Sequence, residues 1–337
     1  KSDWEATFPA MPASDKPKTL HVTCKLDGVL VHERKITGLV AGDLWYVALQ
    51  NSSMPRVKGW PKSPPATGNV RMLMAFAMKR THGLPDRFKL SSSGTQNSRF
   101  FSTWAAGEGV AKVLGDRIHA KTGKPVGIII MNSLGDLPIK AWVGYDSLKQ
   151  CPAWKGDADE LYSRYAPDPK VYASNAETYI SDWKAYWKKV ATDPTFEAGA
   201  MPRFPGSKSV KTPATMTYNM LICAFGPGNF KGVICLTPKS FLGEDKGAGF
   251  GTRFSIMANS WKDTFAYGKQ VLDPHFFYTV PSKTLAPKIT TPTGIKGKAT
   301  AYEMNQWLTT YDPKTRKTAV GEDVVKFLES AVNAVYK

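Results

Sequence analysis

The chain has 337 residues, of which 42% are hydrophobic, and this is enough apolar material to bury a large core, so a wholly disordered protein is excluded. Its longest apolar runs are far shorter than the roughly 20 residues that cross a bilayer, so no transmembrane helix is expected. The 45 basic and 28 acidic side chains give a net charge of +17, which indicates either a solvated basic surface or a polyanionic neighbour.

The kind of polyanion is suggested by how the basic residues are distributed. The lysines are scattered along the sequence, and no nucleic-acid-binding motif is present. We therefore expect protein partners in an assembly or an acidic polysaccharide, and we do not expect nucleic acid.

Residues 1–38 are predicted to form a β-rich N-terminal segment. The short alternating runs Leu20–Cys24 and Val29–His32 are bounded by Pro, Asp and Gly, as strands joined by turns are. From residue 39 to residue 337, strands alternate with helices, and the first of these strands is Leu44–Leu49.

Apolar residues at helical spacing predict a helix over Trp104–Lys121 that ends at Gly123. The near-continuous apolar run Val126–Met131 then predicts a strand that is buried on both faces of a parallel sheet. Residues 150–212 are interpreted as an inserted helical and loop segment. Its helix, Asn175–Val190, carries an aromatic stripe, which is more typical of core packing or of a helix-docking face than of a ligand platform. The stripe consists of Tyr179, Trp183, Tyr186 and Trp187.

The alternation of strands and helices resumes after the insertion. The later segments are Tyr218–Phe225, a strand in 231–238, a helix around Phe254–Phe265, a strand at 276–280, a helix near Ala299–Trp307 and an amphipathic helix at Glu322–Tyr336. Together these elements predict an α/β fold with a mainly parallel sheet and helices on both of its faces.

The cysteines and histidines give no sign of a metal site. The four cysteines allow two disulfides or four buried free thiols, and the five histidines lack paired ligand spacing. No metal or other cofactor is therefore expected. These residues are Cys24, Cys151, Cys223 and Cys235, with His21, His32, His82, His119 and His275.

Several blocks, in order, resemble those of the sialate O-acetylesterase-like carbohydrate esterases, a branch of the SGNH (GDSL-type) hydrolases. AGDLWYVALQ is similar to the family's G-D-V-W-L-x-S-G-Q, and residues 123–142 are similar to G-x-P-V-G-L-I-N-S-S-W-G-G-T-P-x-E-A-W. Residues 213–236 are similar to P-x-x-L-Y-N-G-M-I followed by I-K-G-V-I-W-Y. The resemblance implies a three-layer, flavodoxin-like SGNH-hydrolase fold. It also implies hydrolysis of a sugar acetyl ester by serine, histidine and aspartate.

The position of the nucleophile is altered in this chain. Counted from Trp45, the serine of the family's G-Q-S-N-M aligns with Asn51. If one residue is inserted, Ser52 takes the place of the nucleophile and Met54 aligns with the family's methionine. We prefer a third interpretation, an ordinary Asn-Ser-Ser turn whose side chains bond their own backbone.

The positions that would stabilise an oxyanion are altered as well. Gly135 aligns with a glycine whose N–H serves the family's oxyanion hole, but the neighbouring Asp136 would bring a carboxylate close to the developing negative charge. In the third block, Phe241 replaces the oxyanion-stabilising asparagine and Lys239 replaces a glutamate.

The family's D-x-x-H motif, which supplies the acid and the base before the last helix, has no counterpart here. Residues 308–324 contain Asp312 but no histidine, and the last histidine of the chain is His275. We interpret His275, with Asp273, as part of a turn at the start of a strand. Without a base, a serine hydroxyl is too weakly acidic to attack an ester at useful rates.

The sequence therefore predicts a catalytically inactive, SGNH-hydrolase-like protein that is secreted, periplasmic or associated with the cell envelope. Its role would be structural or binding, as a subunit of an extracytoplasmic assembly or as a binder of acidic glycan. The alternative is an active carbohydrate O-acetylesterase that uses Ser52 with a displaced base, either His275 or His82.

A third hypothesis is a sugar-binding module that retains the old substrate cleft. In that case Trp45, Trp142 or Trp261 would stack on a sugar ring. Core packing is the preferred interpretation of each of these residues.

Overall fold

The computed structural model describes most of the chain. The described residues are 11–50, 69–77, 98–100, 104–106, 109–133, 137–165, 169–196, 201–202, 212–226, 228–266, 273–307, 309–312, 317–320 and 323–337.

The structure contains twelve strands and six α-helices in the described residues. The strands are β1 (Ser14–Leu26), β2 (Val29–Ala41), β3 (Asp43–Gln50), β4 (Val70–Ala77), β5 (Ser98–Phe100), β6 (Ala105–Ala106), β7 (Val126–Ser133), β8 (Gly232–Cys235), β9 (His275–Pro281), β10 (Ala299–Met304), β11 (Thr309–Asp312) and β12 (Lys317–Val320). The helices are α1 (Gly109–Thr122), α2 (Tyr145–Leu148), α3 (Lys155–Tyr165), α4 (Pro169–Thr192), α5 (Phe250–Phe265) and α6 (Asp323–Val335). None of these helices is both long enough and apolar enough to cross a membrane.

Six strands form a parallel sheet in the order β10-β9-β8-β3-β7-β4, and β5 and β6 pair antiparallel to β4. The α/β fold class is therefore confirmed. β3 is the first strand of this sheet along the chain, and it lies at the centre of the sheet. On one side it pairs with β7, which separates it from β4, and on the other side it pairs with β8.

Each face of the sheet is covered by its own core. Successive side chains of a strand point to opposite faces, so Trp45 and Tyr46, both fully buried, belong to different cores. The Trp45 face packs against α1 and α6 through apolar residues such as Leu114 and Phe327. The Tyr46 face packs against α5 and the segments around residues 139–148 and 218–223. Both layers of helices that the sequence predicts are present.

The N-terminal segment folds as a long antiparallel hairpin. β1 and β2 are joined at Asp27 and Gly28, whose φ angles of 48° and 79° suit the tight turns that match the twist of a hairpin. The apolar side chains near the tip are exposed, with Leu26 at 65% and Val29 at 66%. Most of the hairpin therefore projects from the sheet without burying its own apolar residues.

Several predicted elements are confirmed with small shifts in their ends. The predicted helix over Trp104–Lys121 begins later, at Gly109, and the helix around Phe254–Phe265 begins at Phe250. The predicted strand at 276–280 is β9, and the C-terminal helix is α6.

The predicted helix near Ala299–Trp307 is wrong, because residues Ala299–Met304 form the strand β10. This segment pairs in parallel with β9 from Phe276 to Pro281. Its Ala, Glu and Met residues favour a helix locally, but pairing with the edge of the sheet satisfies its backbone and outweighs that weak preference. Residues Tyr218–Phe225 form a π-helical turn followed by a 3₁₀ turn.

The inserted segment contains α3 and α4, and the aromatic stripe of α4 does not pack into a core within the described residues. No residue from Ala173 to Thr192 is fully buried. Trp183 is 42% exposed and Trp187 is 43% exposed, and their rings contact each other with centroids 5.8 Å apart. Of the two packing roles expected for this stripe, core packing is therefore wrong, and a docking face stays a prediction.

Candidate functional site

The carboxyl ends of β3, β7 and β8 meet at one edge of the sheet, and this carboxyl edge is the first candidate site. Gln50 is in register with Ser133, and Ala48 is in register with Cys235. In open α/β sheets, ligands bind outside the carboxyl ends of the strands, where the strand order reverses. The centre of this sheet at β3 is such a point.

Four of the predicted site residues follow these strands directly but lie outside the described residues. Asn51 and Ser52 come after Gln50, where β3 ends, and Gly135 and Asp136 come shortly after Ser133, where β7 ends. Their roles stay predictions. The register of the described strands brings Gln50 and Ser133 to the same edge of the sheet.

The residues that follow β8 are held by hydrogen bonds to β9 and by packing in the core. The backbone N–H of Thr237 donates to Thr279 Oγ1 at 2.8 Å, and the Thr237 hydroxyl donates to the Thr279 carbonyl at 2.6 Å. Phe241 is buried and lies edge-on to Trp142, with ring centroids 6.1 Å apart. Lys239 is exposed. The Phe241 position thus contributes to the core and has no side-chain donor for an oxyanion.

His275 lies at the amino ends of the strands, opposite to the carboxyl edge, and this position disfavours it as a displaced base. Because Ser52 lies outside the described residues, the pairing of His275 with Ser52 stays a prediction. His275 begins β9 and is in register with Gly232, which is in register with Trp45. Gln50 is five residues further along β3, a distance of about 17 Å. His275 Nε2 is 2.8 Å from Thr300 Oγ1, and its ring stacks on Phe277 with centroids 4.1 Å apart.

The surroundings of His275 also disfavour its charged form. Burial lowers the pKa of the His275 imidazole, and the nearby Lys298 and Lys262 lower it further against the opposing effect of Asp273. Asp273 accepts hydrogen bonds from Lys262 Nζ at 2.9 Å and from the backbone N–H of Lys298 at 3.2 Å. The Asp-Pro-His segment leads into the start of β9 at His275, as expected, and the turn itself stays a prediction.

The other described histidines have structural contacts away from the carboxyl edge. His21 Nε2 contacts Glu33 Oε1 at 2.6 Å across the hairpin, and His32 is exposed on β2. His119 Nδ1 donates to the Lys124 carbonyl at 2.8 Å, next to the amino end of β7. His82 lies outside the described residues, so its pairing with Ser52 stays a prediction.

The three tryptophans considered as sugar platforms are all buried. Trp45, Trp142 and Trp261 are at most 1% exposed, and Trp261 Nε1 donates to the Trp142 carbonyl at 2.6 Å. The preferred interpretation of these residues as core is confirmed.

All four cysteines are free thiols, and neither alternative from the sequence holds completely. Cys151, Cys223 and Cys235 are buried, whereas Cys24 is exposed on the hairpin. Burial raises the pKa of the Cys235 thiol well above its ordinary value, so this residue at the end of β8 stays protonated. In the described part of the chain, no cluster of three or more His, Cys, Asp or Glu side chains could hold a metal ion.

Comparison with known proteins finds similar chains among the solved structures. No protein-family model matches the chain, and no curated protein matches it. The chain is similar to a carbohydrate acetylesterase from Xanthomonas citri, with 17% sequence identity and a TM-score of 0.48. The similarity covers 81% of this chain and 48% of that protein, so the chain spans about half the length of its neighbour.

Proposed function

We propose that this protein is a catalytically inactive relative of the SGNH-type carbohydrate esterases that binds acidic polysaccharide in an extracytoplasmic setting. The observation that carries the proposal is the position of His275. It is the last histidine of the chain, and it lies at the edge of the sheet opposite to the ends of β3, β7 and β8.

The residues at the carboxyl edge support the loss of ester hydrolysis. A hydrolase of this type needs a base within hydrogen-bond reach of the nucleophile and donors aimed at the oxyanion. The buried Phe241 ring offers no such donor, and the Thr237 hydroxyl is already bonded to the Thr279 carbonyl.

The net charge supports the class of ligand. A charge of +17 attracts polyanions over the whole surface, and this attraction weakens as salt shortens the screening length. Several exposed lysines, such as Lys184 and Lys188, have no ion-pair partner among the described residues. They are available to an acidic polymer.

A second candidate function is a structural subunit of an extracytoplasmic assembly. The exposed aromatic side chains of α4 favour it, since Trp183 and Trp187 together form an apolar surface of the kind that proteins use for interaction. The exposed apolar tip of the hairpin, which includes Leu26 and Val29, favours it as well.

The proposal is tested by measuring ester hydrolysis and polysaccharide binding on the same preparation. We expect p-nitrophenyl acetate and an acetylated sugar to be hydrolysed no faster by the wild type than by Ser52→Ala. We expect retention on immobilised polygalacturonate, release by about 0.5 M salt, and no retention on neutral dextran.

Two results would contradict this proposal. Turnover that Ser52→Ala abolishes would establish an active esterase and would direct attention to His82 as the base. Passage through polygalacturonate without retention at low salt would exclude the acidic polysaccharide and leave the structural subunit.

A further inference from the structure

A cavity lies at the amino ends of the strands, which we call the amino edge of the sheet, on the side away from the carboxyl edge. It has a volume of about 380 Å³, within the roughly 300–1,000 Å³ of small-molecule sites. The amino ends of β3, β4 and β7 and residues 38–42 at the base of the hairpin surround it. We call it the amino-edge cavity.

A glycine in β7 leaves room for the Trp104 ring at the wall of this cavity. A Cβ atom at Gly127 would lie 3.1 Å from Leu44 Cδ1 and 3.2 Å from Trp104 Cη2, which is closer than side chains normally approach. Trp104 therefore reaches the backbone of β7 with the edge of its indole. The residue is 41% exposed, so part of its ring surface is open to a ligand.

Arg71 supplies a positive charge to the amino-edge cavity. Its Nη1 donates to the Gly38 carbonyl at 2.7 Å, which holds the guanidinium in place. Arg71 forms no ion pair with any residue that the structure describes. A held guanidinium whose remaining N–H groups have no partner among the described residues suits a carboxylate, because its donors match the two carboxylate oxygens.

Two further polar residues line the amino-edge cavity. Asp43 Oδ2 accepts a hydrogen bond from the Tyr336 hydroxyl at 2.7 Å, and its side chain lies on the Trp45 face of the sheet, opposite to the face of Leu44 and Arg71. The side-chain amide of Asn69 is 3.3 Å from His119 Nε2 and also borders the space. Its amide oxygen is an acceptor for a ligand hydroxyl group.

The charge of Arg71 favours a ligand with one negative charge. Asp43 and Arg71 are the charged residues of the lining, but the Asp43 carboxylate lies on the other face of the sheet and is bonded to Tyr336. The guanidinium therefore presents one positive charge, which a carboxylate balances, whereas a phosphate with about two negative charges would leave one uncompensated. The partly exposed Trp104 ring suits the apolar face of a sugar.

We propose that the amino-edge cavity binds a hexuronic acid unit of an acidic polysaccharide. The sugar carboxylate would lie on Arg71, one face of the ring on Trp104, and a ring hydroxyl on Asn69. This inference rests on the proposed function, because it names the place where the acidic polysaccharide is recognised.

The inference is tested by calorimetric titration of the full chain with D-glucuronate and with tri-galacturonate. D-glucose serves as the neutral probe and adenosine monophosphate as the phosphate probe. We expect Arg71→Gln to weaken tri-galacturonate binding by about 10- to 100-fold. Arg71→Lys should weaken it less, since the charge remains and only the paired donors are lost.

Two variants complete the design. Lys283→Gln removes the same charge from an exposed position just after β9, at the other edge of the sheet, and should bind like the wild type. Trp104→Leu keeps an apolar side chain but removes the flat ring, and should weaken binding by about tenfold. Thermal unfolding of each variant shows whether it is folded, and Trp104→Leu tests the cavity independently if Arg71→Gln does not fold.

The outcomes separate the two proposals. Suppose that the wild type is retained on polygalacturonate, and that Arg71→Gln and Trp104→Leu both bind tri-galacturonate as tightly as Lys283→Gln does. The proposed function then stands, but the amino-edge cavity is not the binding site. If the wild type binds neither polymer nor oligomer, the proposed function fails and this inference with it. Arg71-dependent binding of adenosine monophosphate in preference to glucuronate would overturn the assignment of a hexuronic acid.

Discussion

At the scale of single residues, Asp245 shows how one carboxylate organises a glycine-rich loop. Its oxygens accept hydrogen bonds from both Nη atoms of Arg253, at 2.7 and 2.8 Å, and from the backbone N–H groups of Gly247 and Gly249. The segment GAGFG (247–251) leads into α5. The carboxylate of Asp245 accepts hydrogen bonds from N–H groups that a bound phosphate would otherwise use.

These hydrogen bonds make stability depend on pH. Chiefly because of Arg253, the pKa of Asp245 falls from 3.8 to about 2. A carboxylate with a lowered pKa stabilises the fold above its unfolded-state pKa, and the contribution is lost as the pH falls from about 4 to 2. We expect Asp245→Asn to lower the free energy of unfolding at pH 7 by about 1 kcal/mol, because the side chain is partly exposed and solvent screens the pair.

Urea denaturation at pH 7, 5 and 3 measures this effect. The difference between wild type and Asp245→Asn should be similar at pH 7 and 5 and smaller at pH 3. Asp263→Asn is the matched control, because Asp263 pairs with Lys296 where both side chains are about 60% exposed, and it should change stability by less than about 0.5 kcal/mol. A difference that grows toward pH 3 would exclude the stabilising role of the Asp245 carboxylate.

At the scale of elements, the tryptophans of α5 and α4 differ in how much they contribute to the free energy of unfolding. Trp261 is fully buried in α5, and we expect Trp261→Ala to lower the free energy of unfolding by about 3–5 kcal/mol. The double variant Trp183→Gln, Trp187→Gln should lower it by less than about 1 kcal/mol, because both side chains of α4 are more than 40% exposed.

Chemical denaturation followed by circular dichroism compares these variants. A loss in the double variant as large as that of Trp261→Ala would mean that the α4 aromatics are part of the core. Sedimentation of the same double variant shows whether these aromatics also mediate self-association, which is the interaction that a subunit role predicts.

At the scale of the whole molecule, α6 closes one of the two cores. Its apolar side chains pack on the Trp45 face of the sheet, and the hydroxyl of Tyr336 accepts from Trp45 Nε1 at 3.1 Å and donates to Asp43. Deletion of residues 323–337 would expose this face. We expect the truncated chain to lose its cooperative thermal unfolding transition, since a sheet needs both faces covered.

Scanning calorimetry checks this expectation, with Tyr336→Phe as the control. That variant removes only the hydroxyl and leaves Trp45 Nε1 without its partner, so it should stay folded and lose about 1–2 kcal/mol. A truncated chain that unfolds cooperatively near the wild-type temperature would show that α6 is dispensable for the sheet.

The sequence by itself determined the α/β class, because strands and amphipathic helices differ in the spacing of their apolar residues, and this spacing is visible within a short stretch of sequence. It also indicated that Asp273 and His275 lie at the start of a strand, and that Trp45, Trp142 and Trp261 are core. Local preference failed at residues 299–304, where pairing with β9 at the sheet edge outweighed it.

Only the tertiary structure decided which residues share an edge of the sheet. Strand order and register place His275 at the amino edge, and neither can be derived from a periodic pattern, because they depend on pairing between distant segments. For the same reason the amino-edge cavity could not be predicted from the sequence, because its Arg71 and Trp104 lie on separate segments. Local chemistry is encoded along the chain, whereas a site is formed by contacts between residues far apart in it.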